Sequence, residues 1–143
     1  MWGLDATDPR TAIAAMQAMN ASVRNPVFFP AFFLTPVALL VSSALLWKLN
    51  FNRSATWFGS AAITYFCFGL MLTMLINVPM NEALALRQVP EKLADAKVVW
   101  SDYSATWQFW NQIRTVASGV SFLMAVFGVL SLSATDQTQK TVR

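Results

Sequence analysis

Residues 115–135 read TVASGVSFLMAVFGVLSLSAT, without a single charged side chain. A helix rises 1.5 Å per residue, so about twenty such residues cross a hydrocarbon core of about 30 Å. Residues 54–76 and 27–47 are two further charge-free runs of similar length. A transmembrane β-strand needs only about ten residues with alternating apolar and polar positions, and none of the three runs alternates. The sequence thus predicts an all-α membrane helical bundle, with spanning helices at 27–47, 54–76 and 115–135. Composition agrees, since 56% of the chain is hydrophobic and 12% charged, against about 25% charged in soluble domains.

The rest of the chain arranges itself around these spans as one integral membrane domain. Asp8-Pro9 reads as an N-cap followed by proline at the first helical position, opening an amphipathic helix within residues 1–25. Asn25-Pro26 repeats that signal before the first span, and Pro36 sits inside it as a packing kink. The short turn at 48–53 makes the first two spans an antiparallel hairpin. Small residues recur on one face of the second span (Gly59, Ala62, Phe66, Gly69, Thr73) and of the third (Ser118, Ser121, Ala125, Gly128, Leu132), so these faces should turn into the bundle. Residues 77–114 form a polar and aromatic extramembrane region. There Asn77-Val-Pro79 ends the second span and opens a short helix to about Gln88, and Val89-Pro90 opens another that runs through Arg114 into the third span. Residues 136–143 form a tail.

Several function classes fall away. The net charge of +3 is small and its basic residues are scattered, unlike the clustered basic surface of a nucleic-acid binder. Cys67 is alone and histidine is absent, which disfavours disulfides and the common zinc and haem centres, so no metal ligands are assigned. No acidic or basic residue interrupts the spans to mark an ion path. The chain opens without the basic and apolar regions of a secretory leader. Lys48, Arg53, Lys140 and Arg143 lie near span ends against Asp136, which places the 48–53 turn and the tail in the cytoplasm of a plasma (inner) membrane and residues 77–114 outside.

The densest chemistry lies between the second and third spans. On a helix Trp100, Tyr103, Trp107, Trp110 and Arg114 share an arc of roughly 80°, and Asn111 widens it to about 100°. Ser101, Asp102, Gln108 and Gln112 take the opposite, wet face. Indole and phenol rings on one face can stack a flat ring system. A guanidinium and amides beside them can stabilise a developing anion. Asn81 and Asn111 lie beyond capping positions and belong to a hydrogen-bond network, Asn77 is either a cap or a site residue, and Asn20 on the apolar side of the first amphipathic helix is a weaker participant.

Asn77-Val-Pro-Met-Asn81 followed by Trp100-x-x-Tyr103-x-x-x-Trp107-x-x-Trp110-Asn111-x-x-Arg114 resembles the anthrone oxygenase-like family of small integral membrane proteins. The resemblance extends to residues 12–20 and to Asn25-Pro26. It implies a four-helix bundle, with one span before the position where this chain starts, so an upstream start is expected. It also implies, for some members, oxidation of an anthrone to an anthraquinone with dioxygen as co-substrate and no metal or flavin cofactor. In that chemistry Trp107, Trp110, Trp100 and Asn20 would bind substrate. Arg114, Asn111, Asn81, Asn77 and Tyr103 would be catalytic, with Tyr103 or Glu82 as general base.

A different function accounts for many of the same residues. The tryptophans suit an interfacial aromatic belt, Arg114 can snorkel or hold a lipid phosphate, and the amides can tie two segments together. The protein would then be a non-enzymatic membrane module binding lipid, a hydrophobic small molecule or a partner protein. A homo-oligomer could cover the small-residue faces.

Overall fold

The computed structural model describes the backbone of residues 1–141 and the side chains of residues 1–133. The expected tail at 136–143, with Asp136, Lys140 and Arg143, falls outside the described side chains. Among the described residues the secondary structure is helical throughout: α1 (Trp2–Asp5), α2 (Pro9–Ser22), α3 (Phe28–Lys48), α4 (Asn52–Thr64), two π-helical segments (Tyr65–Met71 and Thr73–Asn77), α5 (Val78–Ala85) and α6 (Leu93–Thr141). Among the described residues three helices are long and apolar enough to cross a membrane: Phe28–Lys48, Asn52–Ala85 and Leu93–Ser133. Contacts divide the chain into two compact units, one of residues 1–29 and 72–114, the other of residues 30–71 and 115–143.

The second unit holds the charge-free runs. Helix α3 ends in a Schellman motif: Asn50 adopts a left-handed φ of 63°, its N–H bonds to the Trp47 carbonyl, and the Phe51 N–H reaches back to Leu46. Asparagine tolerates that conformation better than most residues, which lets the chain reverse within the 48–53 turn. The returning helix packs on α3 through the Ser43 hydroxyl, which donates to the Ala55 carbonyl at 2.7 Å. A Cβ on Gly59 would lie 3.1 Å from that hydroxyl oxygen. Helix α6 joins through small residues as well. Ser121 donates to the Ala61 carbonyl at 2.8 Å, Trp57 meets Phe127 with centroids 5.4 Å apart, and a Cβ on Gly128 would come within 2.8 Å of the Phe58 ring. Leu34, Val37, Leu40, Phe122 and Leu123 are exposed, as side chains meeting lipid tails are.

The first unit packs around Ala12, Ile13, Met16, Leu84, Ala96, Trp100 and Tyr103. Asp8 caps α2 by accepting from the Arg10 N–H at 2.9 Å, and Asn25 Oδ1 accepts from the N–H groups of Val27 and Phe28 ahead of α3. Both caps stand where the sequence puts them. Gln17 Nε2 donates to the carbonyls of Leu84 and Arg87, satisfying the C-terminal end of α5 from α2.

Three expectations need correction. Asn77 does not end the second helix, which continues from Asn52 to Ala85. It makes no side-chain cap, because the Val78 N–H bonds to the Thr73 carbonyl five residues back, and Pro79, which has no N–H to donate, sits in the first turn of α5 without ending the helix. Phe66 is exposed rather than on the small-residue face, since π-helical geometry from Tyr65 onward shifts its register. The short helix stops at Ala85 and α6 starts at Leu93, with the Lys92 carbonyl accepting the Ala96 N–H at its start. That long helix does run through Arg114 into the third span, and its 49 residues amount to about 74 Å, more than twice a bilayer's hydrocarbon thickness.

Candidate aromatic and amide site

Helix α6 brings three of its aromatics into a row within the first unit. Trp100 and Tyr103 are buried, at 6% and 7% exposure. Their centroids are 5.9 Å apart, and Tyr103 stacks on Trp107 at 6.4 Å. The 3.6-residue period dictates this row, because steps of three and four residues return to one side of the helix. Trp110 does not join it and packs edge-on against Phe109 at 5.2 Å.

Amides from two other helices meet the row. Tyr103 donates its hydroxyl proton to Asn81 Oδ1 at 2.8 Å. Burial pushes the Tyr103 phenol up to about 12, partly offset by the polar side chain of Asn20, whose amide nitrogen nevertheless closes no hydrogen bond. Asn77, one turn before Asn81, is only 4% exposed. Neither its Nδ2 nor its Oδ1 has a partner, and the Trp107 Nε1 is likewise buried and unpartnered. Leaving a buried polar group unsatisfied costs about 1–3 kcal/mol, so three residues with such groups around one tyrosine call for an explanation.

Arg114 and Asn111 form a second group. Nε and an Nη of Arg114 donate to Asn111 Oδ1 at 3.1 and 2.8 Å, holding the guanidinium along α6. The residue is half-buried, and among the described residues no carboxylate pairs with it. Asn111 and Trp107 border an open cavity of about 430 Å³ together with Met1, Trp2, Gly3, Gln108 and Gln112, within the roughly 300–1,000 Å³ range of small-molecule pockets. A second cavity of about 160 Å³ lies beside Tyr103, Met80 and Arg87. Arg114 lines neither of these two.

The sequence reading missed Asp5. Its carboxylate accepts from Trp100 Nε1 at 3.0 Å, from the Ser104 hydroxyl at 2.6 Å and from Gln108 Nε2 at 3.0 Å. These donors, chiefly Ser104, hold the carboxyl below its ordinary value. Ser104 and Gln108 sit about 40° and 80° around the helix from Trp100, so Gln108 flanks the aromatic arc instead of facing water. The four-residue spacing of Trp100, Ser104 and Gln108 was the available signal. Glu82 is exposed and pairs with Arg24 at 3.2 Å. Among the described residues no three of His, Cys, Asp and Glu gather where they could hold a metal ion.

Apolar spanning helices and a separately packed unit of stacked aromatics and buried amides define a small helical membrane protein with a candidate small-molecule site. The chain belongs to the anthrone oxygenase family, whose model matches residues 19–124. Every candidate site residue named from the sequence, from Asn20 to Arg114, lies within the matched segment, whereas Asp5 lies before it. Neither curated proteins nor solved structures gave a match.

Proposed function

We propose that the protein is a membrane-embedded oxygenase that oxidises a hydrophobic, anthrone-like aromatic with dioxygen, without metal or flavin. The observation that carries this reading is the row of buried Trp100 and Tyr103 and half-buried Trp107, with Tyr103 anchored to Asn81. An interfacial belt would turn its rings to lipid, whereas Trp100 and Tyr103 are enclosed by the first unit's own side chains. The chain works as one integral membrane domain, in the inner membrane, with the 48–53 turn cytoplasmic and residues 77–114 outside.

In the reaction the methylene carbon opposite the anthrone carbonyl loses a proton, and the resulting enolate passes one electron to dioxygen. The radical pair combines into a peroxide anion at that carbon, which takes up a proton from solvent, and loss of water from the resulting hydroperoxide leaves the second carbonyl. Anthrone and dioxygen thus give anthraquinone and water. The aromatic row orients the ring system, and Arg114 with Asn111 stabilises negative charge on the enolate and peroxide oxygens. Asn77 and Asn81 supply polar contacts to the substrate's oxygens, and Asn20 and Trp110 complete its surroundings.

The proton goes to solvent, because Tyr103 is held protonated and Glu82 is exposed and paired. Oxidation should therefore speed up with rising pH as the substrate ionises, and Tyr103→Phe should keep that dependence while losing less than about tenfold in rate, far below the 10²–10⁴-fold of a general base. Initial rates of quinone absorbance from pH 6 to 9 check this. Abolition of the pH dependence, with a larger loss, would return the base role to Tyr103.

A further inference from the structure

We propose that Asn20, Asn77 and Trp107 form a donor set that holds a planar hydroxyarene through an ionised oxygen, so that the protein binds such ligands as phenolates. This rests on the reading of the site as one for a flat aromatic ring system, and it adds the charge state in which the ring is held.

The unpartnered buried atoms are unequal in kind. Asn20 Nδ2 and Trp107 Nε1 can only donate, and Asn77 offers one donor and one acceptor. Three donors therefore face one acceptor. A neutral phenol brings its own donor, which Asn77 Oδ1 can take, and leaves the donor excess poorly matched. A phenolate oxygen accepts several hydrogen bonds at once, and each is strengthened by the charge. The surroundings do not cancel the bias. The Tyr103 hydroxyl proton is committed to Asn81, and Glu82 turns outward to Arg24.

Tyr103 gathers the set. Asn20 lies beside its hydroxyl, Asn81 accepts from it one turn along from Asn77, and the Trp107 ring stacks on its ring. Trp107 also borders the cavity of about 430 Å³, which leaves room for a ring system at one edge of the indole whose buried N–H belongs to the set. Anionic hydroxyquinones, the oxidised relatives of the proposed substrates, are the ligand class this arrangement favours.

The test uses the full chain in lipid nanodiscs and alizarin, a dihydroxyanthraquinone that turns from yellow to red on ionising. Its absorbance is titrated against pH with loaded and with empty nanodiscs. Binding should lower the apparent pKa by about one unit, a tenfold preference for the anion. Trp107→Phe keeps a stacking ring and removes the N–H, and Asn77→Leu removes both polar atoms. Each should cut the shift by half or more. An unchanged or raised pKa, no binding, or a full shift surviving in Trp107→Phe would overturn the proposal. Anthrone oxidation in the same preparation separates the two readings. A shift without turnover removes only the oxygenase, and turnover without a shift removes only this proposal.

Discussion

Arg114→Ala is expected to lower oxygen-dependent quinone formation by about 10²–10³-fold, the loss typical when a single anion-stabilising donor leaves a water-poor site. The guanidinium is half-buried, tied to Asn111 through two of its nitrogens and unpaired with any described carboxylate. Its positive charge is therefore uncompensated at the point where α6 enters its charge-free stretch, and in low dielectric such a charge acts strongly on a nearby anion. Arg114→Lys should recover part of the rate, because it restores charge without the planar fork that grips Asn111. The assay is the initial rate of quinone absorbance in membranes with matched protein content. Equal rates in wild type and Arg114→Ala would remove the residue from the chemistry and leave it as a lipid or headgroup contact.

The largest effect on stability is expected at a residue that the family match does not reach. Asp5→Ala leaves the Trp100 indole N–H and the Ser104 hydroxyl without their acceptor, and both residues are buried. One unsatisfied buried donor costs about 1–3 kcal/mol, so the first unit should lose an amount at or above that range. Thermal unfolding in detergent, followed by tryptophan fluorescence, reads this out. The pH dependence has a definite sign. Because the folded carboxyl is held below its ordinary value, Asp5 stabilises the protein above the unfolded carboxyl's range, and the contribution is lost as pH falls through the depressed folded value. Asp5→Ala should flatten that acid-side loss. An unchanged melting temperature would mean that Ser104 and Trp100 find other partners.

What could be read from the sequence was what local periodicity determines. Charge-free length marks the spans, because lipid tolerates few ionised side chains, and helical spacing places Trp100, Tyr103 and Trp107 in one row. The Asp8 and Asn25 caps are local too, since each side chain bonds backbone N–H groups two or three residues ahead. Features set by distant partners were not legible. Asp5 meets Trp100 across 95 positions, and no pattern near residue 5 announces it. Asn77 in Asn-x-Pro looks like a cap, yet the π-helical turn before it carries the backbone ladder through, and the side chain is buried without a partner. The same turns move Phe66 off the small-residue face. Trp110 shares the helical arc but leaves the row, because an arc gives direction from the axis and not which neighbour a ring meets.

The central claim is that this protein oxidises an anthrone with dioxygen, and parallel measurement of oxygen uptake and quinone formation tests it most directly. Membranes containing the full chain are compared with matched membranes lacking it, anthrone is added, and both quantities are followed. Protein-dependent uptake of one dioxygen for each quinone formed, absent under nitrogen, is the predicted result. Uptake and quinone formation at the same rate in both membranes would contradict it.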